Sequence, residues 1–370
     1  MRPTKIIISG GGTGGHIFPA IAIANALRRR EPGCEILFVG ATGRMEMEKV
    51  PAAGYKIVGL NISGIQRGSI VKNLALPFKL AGSVQKAVKL INDFKPDVVV
   101  GVGGYASGPV LFAASWKNVP YLIQEQNSYA GITNKRLGKN AAKVCVAFDD
   151  MDAFFPAERI LKTGNPVRKE VVDIHNKHFH GAELLKLDPL KKTILVTGGS
   201  LGAGTLNKSI EKHLQEFIDQ DVQLIWQTGK YYYAGIMERL GPNFHPNIRV
   251  LEFLNQMDLA YAAADVIISR AGAGTIAELC LIKKPVILVP SPNVAEDHQT
   301  KNAMALVKQN AAMLINDRSA EDTLVKEALD LLNDEYRCEE LAVNIGKMAL
   351  PEADERIASE VFKLVVKEVI

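Results

Sequence analysis

The chain has 370 residues, a length that suggests two domains, and 47% of it is apolar, enough to build their cores. The net charge is +4 but uneven: residues 1–165 hold 21 Lys+Arg against 11 Asp+Glu and are +10, whereas residues 166–370 hold 23 against 29 and are −6, so the first half favours an anionic partner or surface. No apolar run reaches about 18 residues, which excludes a membrane-spanning helix, and Cys34, Cys145, Cys280 and Cys338 form no CxxC pair, which argues against a zinc site or disulfide framework and fits a reducing cytoplasm.

The opening MRPTKIIISGGG runs straight into a strand and a glycine turn, without the apolar core or cleavage site of a secretory signal. Residues 5–27, KIIISGGGTGGHIFPAIAIANAL, read as strand, glycine turn and helix, and residues 192–214, KTILVTGGSLGAGTLNKSIEKHL, repeat the pattern. The chain therefore reads as internally duplicated, each half beginning with the first unit of a doubly wound parallel sheet. Further strands are predicted at Ile36–Val39, Val98–Val102, Tyr121–Ile123, Val144–Ala147, Leu224–Trp226, Val266–Ser269 and Val286–Val289, with helical patterns between them. The fold class is α/β, with two Rossmann-like domains.

In residues 70–91, Lys72, Lys79 and Lys86 recur every seven residues, and Ile70, Leu74, Phe78 and Val88 share a stripe. Pro77 and Gly82 should interrupt a helix there. Two readings stand: a packed helix with a solvated lysine face, or a segment that docks on an anionic membrane. Turn residues cluster at Thr163-Gly164-Asn165-Pro166, which predicts the linker and domains over 1–163 and 164–349. The tail from Glu355 spaces Ile357, Val361, Leu364 and Val365 as an amphipathic helix, expected to return to the first domain.

Gly10, Gly12 and Gly15 match G-x-G-x-x-G, but the second strand ends Phe38-Val39-Gly40-Ala41-Thr42 with no carboxylate for a ribose, so a dinucleotide cofactor is not expected. What remains is a turn whose amides approach an anion at a helix start. Gly198-Gly199-Ser200-Leu201-Gly202 and Arg270-Ala271-Gly272-Ala273-Gly274-Thr275 repeat the device. Each such interaction is worth about 0.3–1 kcal/mol, so several together can hold a diphosphate without a cation. Glu278 follows the last turn, either as a helix-start acid or as an acceptor for ribose hydroxyls. Asp150-Met151-Asp152 has a metal-binding spacing but reads as a solvated acidic loop, and His175, His178 and His180 as a surface stretch. No aromatic-rich motif accompanies the basic residues, so nucleic acid is not expected.

Gly11-Gly12-Thr13-Gly14-Gly15-His16, Gly103-Gly104-Tyr105-Ala106-Ser107-Gly108-Pro109, Glu125-Gln126-Asn127, Gly164-Asn165-Pro166-Val167-Arg168, Gly198-Gly199-Ser200 and Arg270-Ala271-Gly272-Ala273 occur in this order. As a set, spanning about residues 5–303, they closely resemble the MurG transferase family of bacterial peptidoglycan synthesis. The resemblance implies two Rossmann-like domains facing a cleft, the GT-B arrangement. It implies transfer of N-acetylglucosamine from UDP-GlcNAc to the C4 hydroxyl of the MurNAc of lipid I (undecaprenyl-diphospho-MurNAc-pentapeptide), with inversion and no metal, giving lipid II. The setting it implies is the cytoplasmic face of the bacterial inner membrane, held peripherally.

Carried over residue by residue, the resemblance implies a donor site in which Thr13, Gly14 and Gly15 form the first loop, Asn127 and Gln299 contact the sugar, Arg168 lies near the uracil and Ser200 near the diphosphate. Leu254 matches a position whose backbone reads the base, and Ala273, Gly274, Thr275, Ile276, Ala277 and Glu278 would wrap the sugar, phosphates and ribose. His16 is the first choice for proton transfer, with Glu125 as alternative; capping, packing or acceptor-phosphate binding by His16 are its other readings. Tyr105 is expected at the acceptor site, and Asn134 and Arg270 are further polar candidates. Gln124 stands where some relatives have His, Gly274 where many carry a larger residue, and Asn293–Glu296 differs in length and sequence. Rival readings on the same scaffold are a UDP-GlcNAc 2-epimerase, a transferase acting on diacylglycerol, and a non-catalytic nucleotide-sugar-binding subunit.

Overall fold

Short Ile- and Val-rich runs ended by glycine become the strands of two parallel sheets, because β-branched side chains suit strands covered on both faces. The computed structural model describes residues 2–63, 76–199, 201–242 and 244–365. Two units divide the chain: residues 1–167 with 351–370, and residues 168–350.

The first unit runs β1 (Lys5–Ser9), α1 (Gly14–Arg30), β2 (Glu35–Ala41), α2 (Glu46–Ala52), β3 (Lys56–Leu60), α3 (Leu76–Phe94), β4 (Val98–Gly101), α4 (Ser107–Trp116), β5 (Tyr121–Glu125), α5 (Ile132–Gly138), β6 (Lys143–Val146) and β7 (Ile160–Lys162). Its sheet order is β3-β2-β1-β4-β5-β6-β7, with Ile6 of β1 paired to Ile36 on one side and Val98 on the other. Ile6, Ile7 and Ile8 are fully buried.

The second unit runs α6 (Lys169–Val172), α7 (His178–Leu184), β8 (Thr193–Thr197), α8 (Gly204–Lys212), α9 (Leu214–Asp219), β9 (Gln223–Gln227), α10 (Tyr233–Leu240), β10 (Ile248–Leu251), α11 (Met257–Ala263), β11 (Val266–Ser269), α12 (Ala273–Ile282), β12 (Val286–Leu288), α13 (His298–Val307), β13 (Met313–Leu314), α14 (Asp317–Asn333) and α15 (Glu335–Lys347). Its order, β10-β9-β8-β11-β12-β13, repeats the first six strands of the other sheet. The duplication read from residues 5–27 and 192–214 is thus a duplication of topology. In each unit the order reverses beside the first strand, between β1 and β4 and between β8 and β11, the point where doubly wound sheets open for ligands.

The last helix, α16 (Ala353–Val365), belongs to the first unit. Ile357, Ala358 and Val361 are fully buried in the core that holds Ile17, Ile23 and Leu27 of α1. Arg29 adds ion pairs to Asp354 and Glu355, both at 2.6 Å.

Two expectations need correction. Pro77 and Gly82 do not break α3, which runs from Leu76 to Phe94; Pro77 sits in the first turn, where its missing N–H has no partner to lose. The buried stripe of α3 is Ser83, Ala87 and Ile91, while Phe78 is 82% exposed; Ile70, Lys72 and Leu74 lie outside the described residues. The turn cluster at 163–166 packs on the first unit, just before the division between the units. Thr163 and Gly164 donate to Val146 O (3.0 and 3.1 Å) and Asn165 is buried, so the chain leaves the first unit only after Val167. Among the described residues, no helix is long and apolar enough to cross a membrane.

Candidate active site

In the second unit a cavity of about 690 Å³ opens at the switch point of the sheet. Gly198 and Gly199 after β8, Gly204 and Thr205 of α8, and Gly272 and Thr275 at the start of α12 all line it. The N-cap residues of the two helices are Ala203 and Gly272, which carry no capping side chain. The helix ladders begin at Asn207, which donates to Ala203 O (3.0 Å), and at Ile276, which donates to Gly272 O (2.9 Å). The preceding amides project from the helix starts. Two helix dipoles with positive ends toward one cavity make an anion site. Asn207 fixes α8 there: its side chain donates to Thr228 O and accepts from Trp226 Nε1, both at 2.9 Å.

Of the residues expected at the donor, Arg168, Leu254, Thr275, Glu278 and Gln299 line this one cavity, and so does Arg270, a further polar candidate. Glu278 receives a hydrogen bond from the Tyr261 hydroxyl (3.0 Å). Burial pushes its carboxyl above the ordinary range, while that hydrogen bond and the Arg168 charge pull it back. Arg270 donates to Val289 O (3.0 Å) and Pro290 O (3.2 Å) and pairs with Asp317, which also accepts from Thr205 (2.9 Å). Gln299 accepts from Ser291 N (2.8 Å), which holds the 291–293 turn at the rim. Ala273, Gly274 and Ala277 are partly buried on the same turns of α12, and the Ile276 side chain faces the core. Ser200 lies outside the described residues.

In the first unit the turn after β1 meets the turn after β4. Gly11 N donates to Gly103 O (3.3 Å). Gly103 and Gly104 have φ of +93° and +86°; a Cβ on Gly103 would lie 2.8 Å from the His16 ring, and one on Gly104 2.2 Å from Gly11 O. These two glycines therefore allow the motifs to touch. His16 is partly buried, and its Nδ1 lies 3.1 Å from the Thr13 hydroxyl. Thr13 is the N-cap of α1, and Gly14 and Gly15 open the helix. Tyr105 is 50% exposed nearby in sequence.

One residue at this turn escaped the sequence analysis. Glu46, the first residue of α2, is 1% exposed and accepts from Gly12 N (3.0 Å) and Ala41 N (2.9 Å). The first glycine turn thus already has a carboxylate beneath it, which sets it apart from the two anion-facing turns of the second unit.

Glu125, 2% exposed at the end of β5, accepts from Asn127 N (3.1 Å), Asn127 Nδ2 (3.4 Å), Gly131 N (3.1 Å) and Asn134 Nδ2 (2.8 Å). Burial raises its pKa and these four donors oppose the rise. Asn134 is itself buried, so its amide serves Glu125. Gln124, standing where some relatives have His, donates to Asn165 Oδ1 (2.9 Å), and Asn165 donates to Gln126 O (2.9 Å), tying the end of β5 to the 163–166 turn.

The other sequence candidates lie apart. Asp150 and Asp152 are exposed, and neighbouring Asp149 pairs with Lys162 (2.6 Å). His178 bridges Ala262 O (3.1 Å) and Pro189 O (2.9 Å) through its two ring nitrogens, a structural clasp between α7 and α11.

The N-terminal domain of glycosyltransferase family 28 matches residues 6–146, and the C-terminal domain of the same family matches residues 193–357. The crystal structure of MurG from Acinetobacter baumannii superposes with a TM-score of 0.77 and 29% identity, over 98% of this chain and 100% of that one. A protein of Parabacteroides distasonis named UDP-N-acetylglucosamine--N-acetylmuramyl-(pentapeptide) pyrophosphoryl-undecaprenol N-acetylglucosamine transferase is 55% identical over 368 residues, 100% of each chain. The chain belongs to the MurG transferase family. A protein of the same name from Cytophaga hutchinsonii is 53% identical and covers 98% of each chain. The motif set read from residues 5–303 therefore identified the family correctly, and with it the GT-B fold and a glycosyltransferase activity.

Proposed function

We propose that this enzyme transfers N-acetylglucosamine from UDP-GlcNAc to the C4 hydroxyl of the MurNAc of lipid I, forming lipid II for peptidoglycan. The observation that carries this is full-length identity of 55% to a transferase named for that donor and acceptor. In this reading the second unit holds UDP: the diphosphate at the starts of α8 and α12, the ribose at Glu278, the base near Arg168 and Leu254, and the sugar toward Gln299. The first unit takes the acceptor.

Inversion requires one displacement. The acceptor O4 forms a bond to the anomeric carbon as the bond to the diphosphate oxygen breaks on the opposite face, and the O4 proton passes to a base. His16 suits that role: in the tautomer whose Nδ1–H donates to the Thr13 hydroxyl, Nε2 is the basic nitrogen. Glu125 suits it poorly, because both its oxygens already accept N–H groups in a buried site. It is better read as the residue that shapes the 125–134 loop. Fixed amide donors at the leaving diphosphate supply charge stabilisation that needs no reorganisation during the reaction.

The test is incubation with UDP-GlcNAc with and without a lipid I analogue. UDP release only with the acceptor supports the transferase; release without it, epimer formation, or no reaction with either would reject it.

We also place the enzyme peripherally on the cytoplasmic leaflet. The neighbouring helices α3 and α4 expose Phe78, Leu80, Phe112 and Trp116, and Lys89 and Lys117 are exposed on or beside them. Each such lysine adds about 1 kcal/mol at an anionic surface. Lys86, one of the periodic lysines, instead donates to Gly59 O (2.7 Å). Sedimentation with vesicles containing phosphatidylglycerol should recover more enzyme than with neutral vesicles; equal recovery would rule this out.

A further inference from the structure

Tyr261 of α11 is fully buried, yet its hydroxyl reaches a carboxylate in the wall of the second unit's cavity. It donates to Glu278 Oε2 at 3.0 Å. A phenylalanine would fill the same apolar space, so packing does not account for the hydroxyl. A glutamate has three rotatable side-chain bonds, and one at a cavity wall gains precision only when something behind it holds one oxygen. Here the phenol holds Oε2. The carboxylate keeps lone pairs for further donors, and a vicinal diol is a pair of donors at the right spacing for it.

We propose that Tyr261 is a positioning residue that fixes Glu278 for a ribose diol and so makes the cavity select ribonucleotides over deoxyribonucleotides. This rests on the reading that a uridine nucleotide occupies the cavity. Tyr261 also borders the cavity but is fully buried, and in this account it acts through Glu278. A site built to bond a hydroxyl rejects the analogue lacking it, because its own polar group is then left unpaired.

The test is calorimetric titration of the full-length enzyme with UDP, 2′-deoxy-UDP and 3′-deoxy-UDP. Wild type should bind UDP at least about tenfold more tightly than one of the deoxy analogues, the value of a hydrogen bond to a charged group. In Tyr261→Phe that ratio should fall to about two- to threefold, through weaker UDP binding, while affinity for the deoxy analogue changes less than about twofold. Adding Tyr261→Phe to Glu278→Gln should lower the ratio no further than Glu278→Gln does alone. A ratio unchanged in Tyr261→Phe, equal weakening of all three ligands, or no discrimination by wild type would each overturn the proposal. Wild-type enzyme that binds no UDP would overturn the site reading itself, a distinguishable failure.

Discussion

Replacing Glu46 by alanine removes a buried carboxylate that accepts the amides of Gly12 and Ala41. Each buried N–H left without an acceptor costs about 1–3 kcal/mol, so two stranded amides cost about 2–6 kcal/mol before any lost packing. For a domain of 150–250 residues each kcal/mol lowers the melting midpoint by about 2–4 °C, which places the expected fall at about 4–24 °C. Glu46→Gln keeps one acceptor oxygen but turns an NH2 toward the other amide, and should lose about half as much. The kinetic consequence follows from position: Gly12 directly precedes Thr13 and the start of α1, where His16 sits. Turnover should therefore drop in both variants. Calorimetric melting and steady-state assays with a lipid I analogue read both effects. Glu46→Ala melting within about 1 °C of wild type with normal turnover would refute the reasoning.

His16→Ala should lower kcat by about 10²–10⁴-fold with donor KM unchanged, the usual worth of positioned acid–base help; near-normal turnover would remove His16 from the mechanism. Glu278 gives a pH signature. Its carboxyl is raised in the folded protein, chiefly by burial, so the folded state holds that proton more tightly than the unfolded chain does. The stability it contributes is present below the unfolded carboxyl pKa and is lost as pH rises through the folded value. Urea unfolding of Glu278→Gln should therefore show a shallower loss of stability across that interval than wild type. Identical slopes would contradict the assignment.

Much of the fold was legible because the central strands carry strong local signals. Ile6–Ile8 and Val98–Val100 are unbroken β-branched runs buried on both faces, and glycine ends them where the chain must turn. The weaker elements escaped for physical reasons. In β3 Ile57 and Val58 are only partly buried, leaving Leu60 as its one fully buried residue, and β13 is two residues long. In α3 a glycine on the open side of the helix costs too little to stop it. The glycine turns that line the cavity were legible as motifs because they follow strand ends. Their supports were not: Glu46 reaches Gly12 across 34 residues and Tyr261 reaches Glu278 across 17, and nothing local marks either pair. Nor was it legible that Asn134, on the short helix α5, turns inward onto Glu125, since nothing in the local sequence marks that contact.

The central claim is that amides at two helix starts, rather than a bound cation, neutralise the diphosphate as it departs. Turnover of UDP-GlcNAc with a lipid I analogue, measured in metal-stripped buffer with excess chelator, addresses it directly. The account predicts the same rate as in untreated buffer. Loss of turnover under chelation that added Mn²⁺ or Mg²⁺ restores would contradict it.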